Sequence, residues 1–153
     1  MKTIKYLAFL SLFFLSACSS LILKPADFAW PVESVLQVDS TGTVNIPRYS
    51  LSFNTKNLFL KEMKDSSAYK NQQLRVIRNT KGFYFMVANN FKNVYVFKVD
   101  DGTFRQDKKI EISDTTGIQN PAFNQRPPYI ELVYGNKKVN LTENGIEKEE
   151  GKK

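Results

Sequence analysis

The side chains that do chemistry most often are scarce in this chain. It has no histidine and a single cysteine, Cys18. Without imidazole there is no Ser-His or Cys-His nucleophile pair, no ordinary zinc site and no near-neutral acid–base group. Carboxylates, lysines, tyrosines and serines remain. Asp100, Asp101 and Asp107 gather around Gly102, and oxygen ligands about a glycine turn are what calcium uses. The spacing does not follow the EF-hand loop, so turn acidity is the expected role and no metal is predicted. Glu111 and Glu131 alternate with apolar neighbours, which puts each on a solvent face. They would make a glycosidase-like pair only if the fold brought them together. No catalytic residue, no cofactor and no enzymatic activity are expected, and a carboxylate-dependent envelope hydrolase is the remote alternative.

A binding site is easier to assemble than an active one. Arg75, Arg78 and Lys81 lie along one expected strand and its turn, with Tyr84 and Tyr95 on the strands that follow. Cations with exposed tyrosines would suit an anionic or glycan ligand. Arg75 and Arg78 point to opposite faces of a regular strand, which argues against a single clamp. Most aromatics at strand spacing, among them Phe97, Tyr129 and Tyr134, belong in a core.

The elements that must position these residues read as strands. Ser34–Val38 and Thr43–Ile46 flank the turn residues Asp39-Ser40-Thr41-Gly42, and Arg48–Phe53 alternates with period two. Leu58–Lys70 is ambiguous. Phe59 and Met63 suit a helix, but Leu58-Phe59-Leu60 also opens a strand, and strand followed by loop is the expectation. The centre is Leu74–Val99. Phe83, Phe85 and Val87 alternate with Tyr84, Met86 and Ala88, so both faces of that strand are apolar and it must be covered on both sides. Asn89–Asn93 reads as a compact polar turn, Val94–Val99 as the returning strand, and Asp100-Asp101-Gly102 as a hairpin turn. Lys109–Ile112 is the next expected strand, and Asp114–Pro128 reads as loop. Two hairpins close the domain, turning at Gly135-Asn136 and Asn144-Gly145. The centre resembles one blade of a β-propeller, but the sequence holds no second copy and a propeller needs several.

These patterns predict a mostly β fold, a small antiparallel β-sandwich or partly open β-barrel, spanning 30–146. Trp30, the only tryptophan, is expected in the core or as a lid. Residues 147–153 are charged and form a frayed tail.

The beginning of the chain has a different character. Lys2 and Lys5 precede an apolar run, Tyr6–Leu15, and then the small residues Ser16-Ala17-Cys18-Ser19-Ser20. Basic, apolar and small residues in that order are the pattern of a secretory signal. Leu15-Ser16-Ala17-Cys18 resembles the lipobox of bacterial lipoproteins, in which the cysteine is lipidated and becomes the first residue after cleavage. The resemblance covers residues 1–18 alone. It implies a signal peptide over 1–17, a lipidated tether over 18–29, and acyl chains, palmitate among them, on Cys18. Each buried methylene contributes roughly 0.8 kcal/mol, so several chains anchor stably where one does not. Ser19, not aspartate, follows the cysteine, and in the family this is the sorting default for the outer membrane.

Cleavage would leave 136 residues (153 − 17), one domain with no internal disulfide. The leader carries two of the 22 basic residues, so the remainder has 20 against 15 acidic ones, a net charge near +5. No dense basic run accompanies this charge, and no nucleic-acid partner is expected. The function expected from all of this is that of a structural or accessory lipoprotein of the cell envelope, joined to the membrane by its N-terminal lipid. It holds an envelope protein partner by a sheet edge or face. The alternative is a binding module for an anionic or glycan envelope ligand.

Overall fold

The computed structural model describes residues 32–147. The expected signal peptide, Cys18, Ser19, the expected tether, Trp30 and residues 148–153 of the expected tail lie outside the described residues. Among the described residues, eleven strands and one α-helix follow one another as β1 (Ser34–Gln37), β2 (Thr43–Ile46), β3 (Leu51–Asn54), α1 (Lys56–Met63), β4 (Gln73–Arg78), β5 (Phe83–Ala88), β6 (Asn93–Asp100), β7 (Thr103–Glu111), β8 (Ala122–Arg126), β9 (Tyr129–Tyr134), β10 (Lys137–Thr142) and β11 (Gly145–Glu147). A 3-10 turn, Pro47–Tyr49, joins β2 to β3. All pairings are antiparallel. One sheet runs β1-β4-β5-β6-β7, a second runs β11-β10-β9-β8, and β2 and β3 form a separate ribbon. No sheet closes into a barrel, and the fold is a β-sandwich.

Strand β5 is the middle of the five-stranded sheet, and every residue of it after Phe83 is buried. Doubly apolar alternation has this consequence: neither face can be left to water. Tyr84 and Met86 lie level with Phe97 and Tyr95 of β6 on one face. That face meets the β2–β3 ribbon and α1, where Tyr49 packs edge-on to Tyr84 and Phe53 packs against Phe104. Phe85 and Val87 share the other face with Arg75, Val96 and Lys108. There Lys108 donates to the Asn144 carbonyl and Arg75 meets Glu33, whose carboxylate also accepts the Phe123 amide of β8. The second sheet is therefore the cover on that side.

Several segments depart from the sequence expectation, each for a physical reason. Residues 56–63 are helical, not extended. Asn54 Oδ1 accepts the Lys56 amide, and Lys64, left-handed at φ 59°, closes the C-terminus through Leu60 O. A helix this short is marginal by itself. Phe59, fully buried against Phe91, supplies the tertiary contact that holds it. Phe91 is likewise the reason Asn89–Asn93 is not merely a polar turn. Strand β7 starts at Thr103, six residues earlier than expected, because the tight turn lets it pair with β6 at once. Pairing shifts register between Val96 and Phe97, which leaves Asp107 as a bulge residue. Within Asp114–Pro128 lies β8, and Glu147 pairs with Asn140 instead of fraying.

Candidate functional site

The basic residues singled out in the sequence are each already engaged. Arg75 forms an ion pair with Glu33 at 2.8 Å. On the opposite face, the Arg78 guanidinium lies 5.9 Å from the ring centres of both Tyr49 and Tyr84. Lys81 pairs with Glu143, and that contact holds the Glu143 carboxyl below its ordinary range. Arg78 and Tyr84 do come together, but as a packed cation–aromatic contact at the sheet surface. Burial pushes the Tyr84 hydroxyl pKa up. Tyr95 is separate from all four.

Tyr95 instead anchors a site that the sequence did not disclose. Its hydroxyl donates to Glu62 Oε1 at 2.6 Å, and Asn93 Nδ2 donates to the same oxygen at 2.6 Å. Glu62 Oε2 accepts the backbone amide of Lys92 at 2.7 Å. Three donors from the start of β6 thus hold one carboxylate from α1. Burial first, then the bond and the negative charge of Glu62, pushes the Tyr95 hydroxyl far above its ordinary value, so it stays a proton donor.

This latch lies in the wall of an open groove of about 610 Å³ between α1 and the β6–β7 hairpin. Lys61 reaches it from the last turn of the helix and Lys64 from the left-handed residue that closes it, Lys92 from the β5–β6 turn and Lys109 from β7, with Gln106 beside them. Lys109 is the cross-strand neighbour of Tyr95. Four ammonium groups therefore surround a single carboxylate that is already bound by three donors. Lys92 Nζ also reaches the Asp114 carbonyl at 3.1 Å, which is a neutral acceptor and leaves its charge in place. Asn93 Oδ1 is buried with no partner in the structure, fixed in that direction by the bond its amide nitrogen makes to Glu62. The signal for this groove was present in Lys61-Glu62-Met63-Lys64, but it has meaning only once that stretch is a helix.

The carboxylates considered for catalysis are apart. Glu111 ends β7 in the first sheet, and Glu131 lies in β9 of the second. Glu131 is also not solvated. It is 5% exposed, held by Arg126 Nη1 at 2.7 Å and Asn124 Nδ2 at 3.2 Å, with Lys138 at 3.8 Å. These contacts, the Arg126 bond foremost, lower its pKa. Asp100 faces Arg105 at 3.9 Å, and Asp101 occupies the turn at φ 47°. Among the described residues, no three acidic or cysteine side chains stand close enough to hold a metal ion, and no helix is long and apolar enough to cross a membrane. Comparison of the chain with protein-family models, with curated proteins and with solved structures finds no match.

Proposed function

We propose that the protein is an exported, lipid-anchored envelope protein whose domain binds an anionic ligand in the groove between α1 and the β6–β7 hairpin. The anchor rests on the leader: two lysines, an apolar run, and Leu15-Ser16-Ala17-Cys18, which resembles a lipobox. The outer membrane is the favoured location because Ser19 follows the cysteine. The observation that carries the ligand reading is the set of four lysines around one satisfied carboxylate. Like charges left together on a surface repel one another, and an anion relieves that repulsion. The role proposed is one of binding.

The test is binding of polyphosphate to the detergent-solubilised full chain, wild type against Lys61→Glu/Lys109→Glu. Affinity should fall about tenfold in the variant, roughly 1.4 kcal/mol. It should also weaken as salt rises, because exposed charges are screened within about 10 Å at 0.1 M. Binding indifferent to both changes would remove the groove from consideration.

A second reading keeps an envelope protein partner. Strand β1 is an edge of the larger sheet, and Val32 just before it and Val35 within it are 53% and 47% exposed. The opposite edge, β7, is less suited to pairing, because its bulge at Asp107 and its charged side chains blunt it. A complex formed through the valines would survive the salt that dissolves an anionic contact. Copurification with wild type and Cys18→Ser chains tests both this partner and the anchor. A Cys18→Ser chain that fractionates with membranes as the wild type does would count against lipidation.

A further inference from the structure

A second concavity, of about 280 Å³, opens where the ends of β1 and β4 meet the loops around residues 71, 89 and 120. Its lining is chemically uniform: Gln37, Asn71, Gln72, Gln73, Asn89 and Asn120, joined by Arg75 and Pro121. The chain has 13 asparagines and 6 glutamines among 153 residues, so six carboxamides in eight lining positions is a concentration the fold creates. Four separate segments contribute them. Arg75 adds no net charge, since Glu33 pairs with it.

The walls are held in place. Gln37 and Gln73 are direct cross-strand neighbours. Gln37 Nε2 donates to the Gln72 carbonyl at 3.1 Å, and the Asn120 amide donates to Asn89 Oδ1 at 2.9 Å. Gln37 keeps a carbonyl oxygen, and the Gln73 side chain, exposed in the cleft, keeps both ends. A carboxamide donates and accepts at once, as a sugar hydroxyl does, so a cleft of carboxamides without net charge matches a polyhydroxylated surface. The cleft and the lysine groove lie on either side of one turn: Asn89 lines the first, and Lys92 and Asn93 line the second.

We infer that the ligand is an acidic polysaccharide, its sugar hydroxyls bound in the carboxamide cleft and its anionic groups in the lysine groove. This rests on the anionic-ligand reading and names the ligand's class. The carboxamides confer a preference for charged sugar chains over polyanions that have no hydroxyls.

Two probes and three proteins decide it, all with the full chain in detergent. Polygalacturonate is an acidic sugar polymer; polyphosphate carries charge without sugar. Gln37→Met/Gln73→Met removes the hydrogen-bonding groups at nearly unchanged shape, and Lys61→Glu/Lys109→Glu alters the groove. The glutamine variant should lose about fivefold in affinity for polygalacturonate, the effect of one to two net hydrogen bonds, and nothing for polyphosphate. The lysine variant should lose affinity for both. If the glutamine variant binds polygalacturonate as the wild type does, or loses both probes equally, the inference is overturned while the groove reading stands. The same holds if the wild type binds polyphosphate alone. If the wild type binds neither probe, the groove reading fails, and this inference with it.

Discussion

Two glutamates show how differently one residue type behaves in this protein. Glu62 is held by three uncharged donors and serves as a structural tie between α1 and β6. Glu131 is held by charge as well, between Arg126 and Lys138 on the outer face of the second sheet. Because its folded pKa is lowered, Glu131 adds stability that is fully present above the ordinary glutamate value of about 4.5 and is lost as pH falls through the depressed folded value. Glu131→Gln should therefore lower Tm at neutral pH and leave it less sensitive to acid below about pH 4.5. Thermal unfolding of both proteins across the acid range checks this. An acid limb as steep in the variant as in the wild type would mean that other carboxylates govern it. The loss at neutral pH should be about 1–2 kcal/mol, in the range for a charge-assisted hydrogen bond, since the neutral amide keeps part of the contact with Asn124.

At the scale of elements, the β5–β6 turn is the junction on which both candidate sites depend. Asn90 N donates to Ile118 O at 2.8 Å, and Ile118 N donates to Phe91 O at 2.7 Å, so the 117–118 segment is strapped to the turn. The approach is close: a Cβ on Gly117 would stand 2.5 Å from the Asn90 carbonyl oxygen and 2.7 Å from its Cα. Gly117→Ala should push strap and turn apart and cost about 1–3 kcal/mol, the usual range for overpacking. Hydrogen exchange at the Asn90 and Ile118 amides should accelerate beyond what the global loss explains; protection equal to wild type would show that the strap yields without strain. None of this was legible in the sequence, where 114–128 reads as loop, because a strap is defined by what it touches 28 residues away. Strand β5 was legible, since apolar residues at both parities leave no solvent face. Helix α1 was not: its three-residue apolar run fits either period, and Phe91, the residue that decides the matter, is remote in sequence. The groove followed the helix into obscurity, as its lysines converge only when α1 and its left-handed C-terminal residue, Lys64, bring positions 61 and 64 to the β6–β7 hairpin. Arg75, Arg78 and Lys81 are close in sequence, but strand parity sets Arg75 and Arg78 on opposite faces, and their partners, Glu33, Tyr49 and Glu143, come from distant segments and engage each cation separately.

The whole molecule is a central sheet with an unlike cover on either side, and β5 belongs to both interfaces. Its alternate residues Met86 and Phe85 are both fully buried, one toward the ribbon and helix, the other toward the second sheet. Removing either cover would leave an apolar face of β5 in water, so neither cover can unfold while the sheet persists at little cost. Two substitutions at opposite ends of this stack follow from that. Phe59→Ala strikes the helical cover and Leu132→Ala the second sheet, both at positions with no exposed surface. Each should cost about 2–5 kcal/mol, as large-to-small changes in a core do, and lower Tm by roughly 10 °C for a domain of this size. The informative quantity is the shape of the transition. Both variants should unfold in one calorimetric peak, with calorimetric and van't Hoff enthalpies in agreement. Two resolved peaks in either variant would mean that one cover is a separate unit resting on a sheet stable without it. In that event the helix carrying Lys61, with Lys64 at its C-terminal end, could leave independently. Ligand binding would then add to its stability by mass action, and a polyanion should raise the lower of the two transitions alone. With one cooperative unit, the same polyanion raises the single Tm, and the groove is a fixed feature of the folded state.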